Sequence, residues 1–207
     1  MEDSKGLPII ISGLLIALAI IFTINSVNVS YVTNDELITS INNDELVTID
    51  FSHEKIHDGL HWKTGYADQS MSINDVIEML FVTSNSTEWA HFTLVGKTTG
   101  GAIVSFYEGT TVTNNGTPTT TYNRNRNSLN ASSTLVFHTP TITADGIKIA
   151  EKWVGEEDKK SDIGGDSRGA SEFILKQNTN YLIRLTAYSS GMRGAIGGDW
   201  YEEDFYK

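Results

Sequence analysis

The chain predicts an all-β fold, a β-sandwich or jelly roll, preceded by an N-terminal apolar arm of helical character. Three observations lead there. Short apolar and aromatic runs recur between clusters of Gly, Asn, Ser and Thr, the pattern of strands separated by turns. Helical periodicity is scarce over the same residues, and 207 residues with 39% hydrophobic content are enough to bury a core. One uncharged run near the N-terminus stands apart from the rest in composition.

The arm comes first. No charged residue occurs from Gly6 to Asn34. Its centre, Leu7 to Ile24, would be roughly 27 Å long as a helix, close to the thickness of a bilayer core. Ile9, Leu14, Leu18, Ile21 and Phe22 are its anchoring residues, and Pro8 suits a first helical turn. Met1–Lys5 is acidic on balance and no small-residue cleavage site follows, which disfavours a secretory signal. Two roles stay open for residues 1–30: a membrane anchor, or an arm buried in a protein assembly. Flanking Lys and Arg are too few to set a membrane orientation.

Residues 31–44 read as a spacer. Asn34-Asp35-Glu36-Leu37-Ile38-Thr39 returns as Asn43-Asp44-Glu45-Leu46-Val47-Thr48, and two copies are too few for a solenoid. The second copy runs into alternating Val47, Ile49 and Phe51, so the body is expected to begin at residue 45 and to extend to 207.

Within the body, strands are expected at Glu45–Ser52, Asp75–Thr83, Ala90–Gly96, Ala102–Glu108, Thr134–His138, Gly146–Val154, Ser171–Leu175, Asn180–Tyr188 and Gly198–Glu203. Ile73–Phe81 also fits one face of a short helix. Gly100-Gly101 marks a hairpin, and Gly164-Gly165 and Gly197-Gly198 are expected in turns. Thr110–Ser133 is a long loop, a length usually associated with function, and is expected at a contact between subunits.

Charge and chemistry narrow the function. With 15 Lys+Arg against 26 Asp+Glu the net charge is −11, so a nucleic-acid partner is not expected. The chain has no cysteine, which removes disulfides, thiolate metal sites and a cysteine nucleophile. No Gly-x-Ser-x-Gly, Walker loop or dinucleotide fingerprint occurs, so neither an enzyme nor a cofactor is expected. His53, His57 and His61 would share a face of a helix and hold a metal, but Gly59 interrupts the run; polar or capping histidines near a turn are expected instead. Glu156-Glu157-Asp158, Asp162 and Asp166 lack a calcium-loop spacing and sit beside Lys159, Lys160 and Arg168, so a surface loop is expected. The four Asn-x-Ser/Thr triplets, at Asn28, Asn85, Asn115 and Asn130, are expected by chance in this composition. Trp200-Tyr201, with Phe205-Tyr206, could form a carbohydrate platform; a core strand is the simpler expectation. Arg124 and Arg126, between asparagines, are the one concentrated basic spot and are expected to make a protein–protein contact.

Five blocks occur in order: His53-Glu54-Lys55-Ile56-His57-Asp58-Gly59, Phe106-Tyr107-Glu108-Gly109-Thr110-Thr111, Asn123-Arg124-Asn125-Arg126-Asn127-Ser128, Leu175-Lys176-Gln177-Asn178-Thr179-Asn180-Tyr181-Leu182 and Asp199-Trp200-Tyr201-Glu202. Together they resemble small virion proteins of double-stranded DNA bacteriophages, the head decoration or capsid-associated proteins, over roughly residues 45–203. That resemblance implies a non-enzymatic structural protein on the outer capsid surface, with the major capsid protein or other virion proteins as partners. Self-association is expected, as a homotrimer. Lipid joins the partners if residues 7–24 enter a membrane. A receptor- or glycan-binding module on a virion or cell surface is the alternative.

Overall fold

The computed structural model describes residues 31–32, 37–42, 45–155, 161–163 and 171–204. The apolar run with Ile9, Leu14, Leu18, Ile21 and Phe22 lies outside the described residues, as do Glu156–Asp158, Asp166 and Gly164-Gly165. Among the described residues no helix is long and apolar enough to cross a membrane.

The chain divides into two compact units, Met1–Phe51 and Ser52–Lys207. In the first, β1 (Tyr31–Val32), β2 (Leu37–Asn42) and β3 (Glu45–Asp50) pair antiparallel in that order. The duplicated sequence supplies both strands of one hairpin: Thr39 faces Thr48 and Ile38 faces Ile49. Residues expected as a spacer thus contain a strand. β3, expected to open the body, pairs with β2.

A seven-residue helix, α1 (Phe51–His57), follows where strand was expected to continue. Glu54 sits in its first turn and Lys55 and His57 in its last, the arrangement that complements a helix dipole. Gly59, at φ +70°, ends it. Its N–H donates to the Ile56 carbonyl at 3.1 Å, and that of Leu60 to the Lys55 carbonyl at 2.9 Å, a Schellman closure.

The strands of the second unit are β4 (His61–Met71), β5 (Val76–Val82), β6 (Glu88–Thr98), β7 (Ala102–Glu108), β8 (Thr111–Asn114), β9 (Thr117–Pro118), β10 (Tyr122–Asn123), β11 (Leu135–His138), β12 (Thr141–Ala144), β13 (Ile147–Val154), β14 (Ser161–Ile163), β15 (Glu172–Ile174), β16 (Asn180–Ala187) and β17 (Met192–Asp204). One sheet runs β10-β4-β17-β6, with β14 and β15 on opposite ends of the β6 edge. The other runs β13-β7-β16-β5-β11-β9. All ladders are antiparallel. Take β14 and β15 as one interrupted strand. The eight principal strands β4, β5, β6, β7, β13, β14/β15, β16 and β17 then fall in the order first-eighth-third-sixth in one sheet and fifth-fourth-seventh-second in the other. That is the strand order of a jelly roll.

The core lies between the sheets. Phe92 of β6 packs edge-on to Phe81 of β5 at 5.0 Å and stacks on Phe106 of β7 at 5.5 Å. Trp200 of β17, fully buried, meets Phe81 edge-on at 5.9 Å, as expected for a core strand. Burying such rings supplies most of the apolar stabilisation. Ile73–Phe81 is not helical: β5 occupies Val76–Val82, because Ile77, Met79 and Phe81 alternate into the core. Gly197-Gly198 is not a turn either. Both lie inside β17, where a Cβ on Gly197 would stand 2.2 Å from the Thr64 carbonyl oxygen and one on Gly198 would stand 2.3 Å from the Phe92 ring.

The connection from β7 to β13 holds β8 to β12. It adds β10 to one sheet, β11 and β9 to the other, and a separate β8–β12 ladder. Arg184 of β16 ties it down: its guanidinium grips Asp145 through both oxygens at 2.7 and 2.8 Å, donates to Glu78 at 2.6 Å and lies over the Tyr107 ring at 5.3 Å.

Candidate functional site

The segment Asn123–Asn130 turns on its own side chains. Asn123 Oδ1 accepts from the Asn125 N–H at 2.9 Å, Asn125 Oδ1 from the Asn127 N–H at 3.1 Å, and Ser128 Oγ from the Asn130 N–H at 3.1 Å. These are consecutive side-chain-closed turns, which is why asparagine recurs there. The same asparagines dock the segment onto the end of α1. Asn123 Nδ2 donates to the Gly59 carbonyl at 2.7 Å, Asn130 Nδ2 to the same oxygen at 3.2 Å, and Asn125 Nδ2 to the His57 carbonyl at 3.0 Å. Asn123 is buried and Asn125 half-buried, while Arg124 and Arg126, on either side of Asn125, are exposed.

The two arginines border an open recess of about 420 Å³, completed by Lys63, Tyr122 and Asn123. Arg124 Nη1 lies 3.4 Å from Asp199 Oδ2 and 3.5 Å from His61 Nε2. His61 is fully buried: Nδ1 donates to the Ser52 carbonyl at 3.1 Å and Nε2 lies 2.6 Å from Asp199 Oδ1. This chain of contacts holds Asp199, and Asp199 holds Arg124. Arg126 lies over the Tyr122 ring at 5.7 Å, a cation–π arrangement, and its Nη1 donates to the Asn123 carbonyl at 3.4 Å. Among the described residues neither Arg126 nor Lys63 has a carboxylate partner. Beside them Leu129 is 99% exposed and Tyr122 49%. The recess thus gathers three cationic side chains, Lys63, Arg124 and Arg126, beside the Tyr122 ring, with Asp199 pairing Arg124.

The histidines separate. His53 and His57 stay together on α1, Nε2 to Nε2 at 3.1 Å, while the turn at Gly59 sends His61 into β4 on the far side of the cap. Among the described residues no three or more His, Cys, Asp or Glu side chains converge as metal ligands. Asp162 lies in β14. Tyr201, on the face opposite Trp200, is 5% exposed; its hydroxyl lies 3.0 Å from His91 Nδ1 and 3.1 Å from Glu172 Oε1.

Lys63, Tyr122, Leu129, Asp199 and His61 were not legible as one group. Lys63 and His61 sit on β4, whose Gly65 and Ala67 dilute any apolar alternation, and Asp199 comes 138 residues after His61. The run of alternating asparagines was the available signal for the segment that borders the recess.

No family model, curated protein or solved structure matches the chain.

Proposed function

We propose that this is a structural protein of a bacteriophage virion, a jelly-roll module that decorates or projects from the capsid and is held there by its N-terminal segment. The observation that carries the reading is the jelly-roll strand order of the two sheets, an architecture recurrent in viral capsid and lectin domains. The resemblance of the ordered sequence blocks to phage decoration proteins points the same way. So does the division into a body and a separate N-terminal unit, which suits an anchor joined to a projecting domain. In this reading the Arg124–Arg126 recess docks an acidic surface of a neighbouring virion protein or of a second copy in a homotrimer.

The experiment is reconstitution on particles lacking the protein. The full chain is expected to co-sediment with them and a fragment of residues 51–207 to stay in the supernatant. Arg124→Ala combined with Arg126→Ala is expected to lower occupancy or self-association while leaving the melting temperature of the body within a degree or two, because exposed charges contribute about 0–1 kcal/mol to folding. A fragment that decorates as well as the full chain overturns the anchoring role. Loss of polyanion binding with unchanged assembly overturns the contact.

A further inference from the structure

Among the described residues, the most exposed aromatic of the second unit lies at the edge of the other sheet, away from the recess. Trp153, on edge strand β13, is 72% exposed, and Tyr188, just past the end of β16, is 45% exposed. Their rings stack with centroids 5.4 Å apart at 27°. The register places Trp153 beside Ile103 and Glu151 beside Ser105, while Val154 turns into the core at 3% exposure. Trp153 and Glu151 therefore share the outer face, separated by one pleat repeat, roughly 7 Å.

The base under these rings is rigid. The Tyr188 N–H donates to the Gly101 carbonyl at 2.9 Å, and the Gly101 N–H to Ser189 Oγ at 2.8 Å. Gly155, at φ +71°, packs so closely on Gly100 that a Cβ would stand 2.3 Å from its carbonyl oxygen. Tyr188 backs part of the indole, and the remainder faces water in a fixed orientation. A lone exposed aromatic is ordinary, but two large rings stacked on each other at a sheet edge make a flat apolar platform open to a ligand.

Area and charge decide the occupant. The exposed indole offers on the order of 200 Å², below the several hundred Å² expected of a protein-docking patch. It matches one face of a sugar ring, whose axial C–H groups present a flat apolar surface while its hydroxyls point to the rim. The rim supplies acceptors and donors: the Glu151 carboxylate, held by the Ser105 hydroxyl at 3.1 Å and by Lys148, with the Thr186 hydroxyl on the strand beyond Ile103. A carboxylate at that place, on a chain of net charge −11, disfavours acidic sugars. We propose that Trp153 and Tyr188 form a stacking subsite for a ring of a neutral saccharide chain. One ring gives weak binding, and many copies on a particle would multiply it through avidity.

The test titrates the full chain with cellohexaose, maltohexaose and chitohexaose, and with heparin as the acidic comparison, following intrinsic fluorescence and saturation-transfer NMR. At least one neutral hexaose is expected to bind at millimolar concentration. Trp153→Ala should weaken it at least tenfold at unchanged melting temperature, and Trp153→Phe should restore part of the loss. No response to any of the three hexaoses overturns the proposal, as does equal binding by Trp153→Ala, or binding of heparin alone. Self-association lost in Trp153→Ala would show a subunit contact instead and overturn it too. Particle attachment, measured separately, stays with the N-terminal segment, so failure here leaves the proposed function standing and the converse also holds.

Discussion

Glu202 concentrates several interactions in one side chain. It is 1% exposed, on the core-facing side of β17, and its carboxylate accepts from Ser132 Oγ at 2.6 Å, the Ser133 and Thr134 N–H groups at 2.8 and 3.0 Å, and Trp200 Nε1 at 3.1 Å. Ser132 Oγ is a second acceptor for the Thr134 N–H and for Trp200 Nε1, at 3.0 and 3.2 Å, whereas the Ser133 N–H goes to Glu202, so the residue closes the segment before β11 onto the sandwich. Removing it leaves the Ser133 N–H without this acceptor. Glu202→Ala is therefore expected to cost about 3 kcal/mol or more, and Glu202→Gln less, because its amide oxygen still accepts. Urea unfolding of the two variants measures this; equal stability of both with the parent would contradict the account.

At the scale of elements, the Gly197-Gly198 pair decides how closely β17 approaches its neighbours. Thr64 is backbone-adjacent on β4, and Phe92 is held by Phe81, Phe106 and Trp200, so neither has room to move. Gly197→Ala is expected to destabilise by more than about 3 kcal/mol or to prevent folding. Gly191→Ala, where no atom stands within 4 Å of the added carbon, should cost only the roughly 1 kcal/mol of a left-handed backbone. Thermal melts of the pair separate steric from conformational cost. The turn after α1 makes a second element-scale case. A Cβ on Gly59 would stand 2.2 Å from Ser128 Oγ, so Gly59→Ala should loosen the Asn123–Asn130 segment and raise protease cleavage there before the body melts.

Across the whole molecule, two ion-paired carboxylates tie distant parts together. The Arg184 guanidinium holds the Asp145 carboxyl below its usual range, and Lys176, helped by the Tyr181 hydroxyl, does the same for Glu108. A depressed folded-state pKa gives stability that is complete above the ordinary carboxylate range and is lost as pH falls through the folded value. The melting temperature is thus expected to drop as pH falls below the ordinary carboxylate range, with a shallower acid limb in Asp145→Asn. A variant with an unchanged limb would remove Asp145 from the explanation. Asp145 is 43% exposed, so the effect is a slope and not a collapse. The two compact units give a further whole-chain expectation: residues 51–207, the second unit with the first residue of α1, should unfold in one cooperative transition at the temperature of the corresponding transition in the full chain.

The all-β class and most principal strands were legible because their apolar residues alternate: Ala102–Glu108 coincides with β7, and Asn180–Tyr188 overruns β16 by one residue. Local chemistry also spoke plainly in Asn123–Asn127, since side-chain-closed turns are short-range. Sheet order, the pairing of the two repeat copies and the place of Gly197-Gly198 were decided by tertiary structure, because a glycine that admits a neighbouring strand looks the same in sequence as one that makes a turn. The same holds for function-bearing groups. Arg124 is positioned by His61 and Asp199, which are far apart in the chain and adjacent only because β4 and β17 pair. Trp153 and Tyr188 carried no sign of exposure, since an aromatic residue in a strand reads as core until the edge position of β13 leaves one of its faces without a neighbour.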